Sequence, residues 1–229
     1  MWRVPNIWEG GMVFIIGGGP SIAHQFNIPD EIVRGVAGGD LMPSEYSPYM
    51  ESLHDKHTIG INAAYLLGDW IDWIFFGDTG FFMKHKIALS EYPGLKISST
   101  PAVVKFPWVR FLKKDTKKTS GITDNPMAVS WNQNSGAAAI SIARHTGAKQ
   151  IVLLGFDMKL NESKQHWHNV YSSNTRERGK KPVKLPFERH LKGFPSIAAD
   201  AKRMGIEILN ASHDSAIDCF ERVNIKDLL

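Results

Sequence analysis

The chain has 229 residues, 43% of them hydrophobic and 22% charged, which suits one α/β domain spanning 1–229 and excludes wholesale disorder, a fibrous repeat or a coiled coil. No apolar run approaches the roughly 20 residues that span a bilayer. Met1 is followed by a polar, Trp-containing stretch rather than a secretory leader, so a cytoplasmic location is expected.

Cys219 is the only cysteine, which rules out an internal disulfide and a thiolate metal cage. The net charge of +4 conceals an uneven distribution. Residues 105–118 hold six Lys/Arg and one acid, and residues 176–192 hold seven Lys/Arg and two acids, leaving 14 basic and 20 acidic residues elsewhere. Concentrated positive charge suits a phosphate-bearing ligand or a nucleic acid backbone, with lysine-rich solvated loops as the plainer alternative.

Taken in chain order, Met12–Ile16 is predicted as a buried strand that runs into the turn Gly17-Gly18-Gly19-Pro20-Ser21. Thr58–Ile61, Trp73–Phe76, Leu95–Ile97, Ile151–Leu154 and Ile206–Leu209 are further short apolar runs, read as parallel strands. Asn62–Leu67, Gly80–Leu89, Gly136–Thr146 and Ala198–Met204 have helical composition, and Gly205 supplies a stop. This alternation predicts a doubly wound, mostly parallel, Rossmann-like sheet whose ligand lies beyond the carboxyl ends of the strands. Lys105–Met127 and Asn161–Lys192 resist assignment. The second is expected to be a basic lid-like insertion, about 158–192, that orders over bound donor, the alternative being a fixed surface excursion packed by Trp167 and Phe187 or ordered by a neighbouring subunit.

The glycine loop lets backbone N–H groups approach a phosphate at the start of a helix. It lacks the Lys-Ser/Thr ending of a Walker loop, and Ile22 stands where a dinucleotide fingerprint needs its third glycine, so a purely structural turn stays open. Asn62, Asp78, Ser135 and Asp157 each stand at a strand end or helix start, so the fold would gather them on one rim, although each could instead be a cap. His166 and His168 alternate, which in an extended segment turns both imidazoles to one side, with Trp167 between them placed to stack on a base or sugar. Two histidines without an assured third ligand do not make a metal site, and none is assigned.

The strand ending in Gly17–Ser21, Asn62 after the second strand, the block Ser135-Gly136 to Gly155-Phe156-Asp157, and Asn210–Phe220 together resemble the bacterial CMP-sialic acid-dependent sialyltransferases. The wider group includes archaeal 6-hydroxymethylpterin pyrophosphokinase-like proteins and uncharacterised phage proteins. The resemblance implies a nucleotide held by Gly17, Gly18, Gly19, Pro20, Ser21, Asn62, Ser135 and Gly136, with Asp78 and Asp157 on the same rim. It further implies inverting transfer from a nucleotide sugar, such as a CMP-sugar, to an acceptor hydroxyl, with no metal. By spacing, His190 falls at the position of the general base, and His166 and His168 are lid candidates for that role. The tyrosines that steady the departing phosphate in those enzymes appear here as Lys159 and Gln165 or His166, and the Asn in the middle of their glycine loop is Gly18. Lys159 would replace the tyrosines as a cation beside the leaving phosphate. The alternatives are ATP-dependent diphosphate transfer to a pterin-like alcohol, with Mg2+ on Asp78 or Asp157, and a nucleotide- or nucleic-acid-binding module. A homo-oligomer is left open.

Overall fold

The computed structural model describes residues 2–160, 165–170 and 185–229. Its core is a sheet of eight strands, every pairing parallel. In chain order they are β1 (Met12–Ile16), β2 (His57–Ile61), β3 (Trp73–Phe76), β4 (Leu95–Ser98), β5 (Val109–Phe111), β8 (Gln150–Leu154), β9 (Glu207–Asn210) and β10 (Glu221–Arg222). Two short segments, β6 (Lys113–Lys114) and β7 (Ala128–Val129), form a separate ladder. The spatial order is β10-β9-β8-β1-β2-β3-β4-β5. The chain therefore winds from β1 to one edge, returns beside β1, and winds to the other. The reversal falls between β1 and β8, and the crevice beyond their carboxyl ends is where such sheets bind ligands.

Strands buried on both faces read as apolar runs, because alternate side chains serve two cores. Val13, Ile15, Ile151 and Leu153 face one core with α4 (Ser135–His145) and α6 (Phe194–Met204). Phe14, Ile16, Val152 and Leu154 face the other, with α1 (Ser21–Gln25) and α3 (Thr79–Glu91). The run Ala137–Ala138–Ala139 is fully buried, which allows α4 to lie close against the strands.

Two expectations change. Lys105–Met127 contains regular structure: Val109–Phe111 extends the sheet beside β4, and Lys113–Lys114 pairs with Ala128–Val129. Its cations are partly engaged, with Lys118 2.8 Å from Asp200 and the Lys114 ammonium 3.7 Å over the Trp131 ring. Asn62–Leu67 forms tight 3-10 turns rather than an α-helix. The stretch between α1 and β2, for which no element is predicted, forms α2 (Asp30–Gly38) and 3-10 turns over Pro43–Leu53. Of the expected lid, residues 161–164 and 171–184 lie outside the described residues, and α5 (Phe187–Leu191) closes its C-terminal side. No described helix is long and apolar enough to cross a membrane.

Candidate functional site

The glycine loop sits on the loop that follows β8. Gly17 N–H donates to Leu154 O at 2.7 Å, and Gly19 N–H donates to Gly155 O at 2.8 Å. A Cβ on Gly17 would lie 2.7 Å from Gly155 O, so the approach of the two loops excludes a side chain there. Asp157 is buried beneath the loop and accepts from Ser21 N at 2.9 Å and Ser21 Oγ at 2.5 Å. Burial pushes its carboxyl above the usual carboxylate range, with the Ser21 hydrogen bonds opposing. Asp157 is thus the post on which the loop and α1 are mounted.

A cavity of about 290 Å³ opens beyond the carboxyl ends of β1, β2, β3 and β8. Of the residues singled out by sequence, Gly17, Gly18, Gly19, Asn62, Asp78, Ser135, Gly136, Asp157, Gln165, His166 and His190 line it. Asn62 leaves β2 with φ of +52°, and its buried Oδ1 has no hydrogen-bond partner among the described residues. A non-glycine residue held in the left-handed region is a cost that persists only where packing enforces it. Asp78 caps α3 by accepting from Phe81 N at 2.8 Å. At α4 the cap is Asn134, whose Oδ1 accepts from Gly136 N at 2.8 Å and Ala137 N at 3.3 Å. Ser135 is therefore released from capping and faces the cavity at the positive end of an 11-residue helix.

The strip Gln165–Val170 is laced to the loop. Trp167 N–H donates to Gly18 O at 3.0 Å, and its indole Nε1–H donates to Gly17 O at 3.1 Å. Trp167 is 2% exposed and packs against Tyr46, which corrects the expectation that it stacks on a base or sugar. The His166 and His168 rings do lie side by side, parallel and 5.2 Å apart. Burial lowers His166 to about 4 and His168 to about 3, so both are neutral at neutral pH. Only His166 reaches the cavity; His168 is buried behind it.

His190 lies on α5, partly open to the cavity, 3.4 Å from Arg189 Nη2. Burial, and then the Arg189 charge, hold its pKa below the usual histidine value. Lys159 does not line the cavity; its ammonium pairs with Asp214 at 2.5 Å. Pro20 and Ser21 stand behind the loop, outside the lining. Trp131, Gln133, Phe187 and Arg189 add to the wall, and none of them was assigned a role in binding or catalysis from sequence. The signal for Arg189 was its place beside His190; Trp131 and Gln133 directly precede the Asn134-Ser135-Gly136 turn. Among the described residues no three His, Cys, Asp or Glu side chains gather as metal ligands. Asp78 and Asp157 are both committed to backbone groups.

No family model and no curated protein matches the chain. Solved structures do. A MAf glycosyltransferase from Magnetospirillum magneticum aligns over 100% of this chain with a TM-score of 0.62 at 12% identity, and the chain spans 36% of that protein. The sialyltransferase CstII from Campylobacter jejuni, bound to cytidine-5'-monophosphate, aligns over 93% of this chain and 84% of its own with a TM-score of 0.52 at 18% identity. The same sialyltransferase bound to the substrate analogue CMP-3FNeuAc gives a TM-score of 0.50. At these identities the likeness concerns the backbone, and on that ground the chain has the sialyltransferase-like α/β fold.

Proposed function

We propose that the chain is a nucleotide-sugar glycosyltransferase that performs inverting transfer to an acceptor hydroxyl. The observation that carries this reading is one cavity at the sheet's reversal point that is lined together by the glycine loop, Asn62, Ser135 and His190. The nucleotide phosphate lies against the backbone at Gly18 and the positive end of α4, since Gly17 and Gly19 N–H already donate to Leu154 O and Gly155 O, and Asn62 and Ser135 supply polar contacts to the nucleoside. A cytidine nucleotide is favoured, because CMP occupies the related sialyltransferase.

His190 is neutral at neutral pH, so a ring nitrogen has a lone pair to take the acceptor's proton. The acceptor oxygen then bonds to the anomeric carbon as the bond from that carbon to the phosphate oxygen breaks. The electron pair leaves with the nucleotide. Arg189, which lines the cavity, replaces Lys159 in the charge-stabilising role, since Lys159 is bound to Asp214. Titration calorimetry with CMP, CDP, UMP and GDP tests the reading. Binding of a cytidine nucleotide that weakens in Ser135→Ala and Asn62→Ala is expected; no binding by any of the four at millimolar concentration overturns it.

A further inference from the structure

A second cavity lies at the other end of α1. The helix is five residues long, about 7.5 Å at 1.5 Å per residue. Ser21 begins it under the glycine loop, and Gln25 ends it in the wall of the second cavity. No described residue lines both cavities.

Three distant parts of the chain converge here. The end of α1 brings His24, Gln25 and Asn27, the loop after β9 brings His213, and β10 with the turn that follows it brings Arg222 and Lys226. The His24 and His213 rings face each other with centroids 6.3 Å apart. Four basic side chains thus meet, and among the described residues no carboxylate lines the cavity. The acid next to His213 in sequence, Asp214, pairs with Lys159 outside the cavity lining, and the Arg222 charge also acts on it. Arg222 and Lys226 put two permanent positive charges on this wall, and a bound anion relieves their repulsion.

The groups are also held in place. Arg222 donates through Nη2 to Ser215 O at 2.8 Å, which anchors one guanidinium nitrogen and leaves the others to a ligand. The Asn224 side chain accepts from Lys226 N at 3.1 Å and fixes the turn that carries the lysine. Gln25 Nε2 donates to Ala211 O, tying α1 to the loop after β9. Asn27 is kept at φ of +50° at the mouth.

We propose that this cavity is a second ligand site that binds a phosphate monoester, with Arg222 and Lys226 holding the phosphate and His24 and His213 flanking it. The guanidinium fork matches phosphate oxygens in pairs, and the lysine adds a point charge. Asn27 and Gln25 provide amides beside the ester carbon chain. The same chemistry is offered by a soluble sugar or glycerol phosphate and by a phospholipid headgroup.

The experiment is a heteronuclear NMR titration of the whole chain with inorganic phosphate and with glycerol phosphate, alongside co-sedimentation with phosphatidylglycerol vesicles. Saturable shifts confined to Asn27, His213 and Val223–Lys226 are expected, weakened about tenfold in Arg222→Gln and in Lys226→Gln. Lys226 is exposed and holds no partner among the described residues, so its variant keeps the test valid where Arg222→Gln disturbs the loop. Response to glycerol phosphate without vesicle retention supports a soluble ligand; retention lost in Lys226→Gln supports a headgroup. An absence of saturable shifts, shifts reproduced by chloride at equal ionic strength, or unchanged affinity in Lys226→Gln overturns the proposal. CMP affinity, read separately at Ser135 and Gly136, reports on the first cavity alone.

Discussion

Replacing Gly18 with alanine places a Cβ 2.7 Å from His166 Nδ1. Gly18 is not in the left-handed region, so elsewhere such a change would stabilise the fold by about 0.4–1 kcal/mol through the unfolded chain. The sign therefore reports on the contact. His166 has little room to retreat: its ring stacks on His168, and the next residue, buried Trp167, donates to both Gly17 O and Gly18 O. Overpacking of this kind costs about 1–3 kcal/mol, so net destabilisation of about 1–2 kcal/mol is expected. His166→Gly in the same background removes the obstructing ring, and a double-mutant cycle should give a coupling of about 1–3 kcal/mol. Urea denaturation of the four proteins measures this, and titration with CMP reports whether the loop has moved. A Gly18→Ala protein that is more stable than the parent, or a coupling near zero, would refute the packing of His166 on the loop. The same geometry explains the departure from the sialyltransferases noted in the sequence. An asparagine in the middle of the loop has no space while His166 stands there.

His190→Ala should lower turnover by about 10²–10⁴-fold with little change in nucleotide affinity. In the parent, kcat/KM should rise with pH through one step below the ordinary histidine value, because burial and Arg189 favour the neutral ring, and the step should vanish in the variant. His145, buried at the end of α4, is held at about 4 by burial, with Arg144 adding to the effect. Between about 4 and 6.5 the unfolded state binds the extra proton, so stability falls as pH falls through that window. His145→Gln should remove about 2 kcal/mol of the stability lost between pH 7 and pH 5, measured by denaturation at both. Asp157→Ala should cost about 2–4 kcal/mol and weaken CMP binding, because it leaves Ser21 N–H buried without its acceptor. Loss of CMP affinity with unchanged stability would contradict a post beneath the loop.

Much of the architecture was legible because it is local. Runs such as Met12–Ile16 and Trp73–Phe76 are apolar on both faces, which marks strands covered on both sides, and the glycine and Asn/Asp/Ser residues after them mark the strand ends. The gathering of Asn62, Ser135 and the glycine loop followed from parallel strands sharing one carboxyl rim. Beyond that rim, sequence was silent on partners. Ser135 reads as a cap, but Asn134 takes that task; Lys159 reads as a free cation, but Asp214 lies beside it. Val109–Phe111 looks like part of a basic loop because only three residues pair, with β4 supplying the register. Trp167 looks like a ligand platform, and becomes core through Tyr46, some 120 residues earlier in the chain. Periodicity and turn chemistry act between neighbours and survive in the one-dimensional string. A side chain's burial, its hydrogen-bond partner and its protonation are set by groups far along the chain, and these were decided only when the fold brought them together.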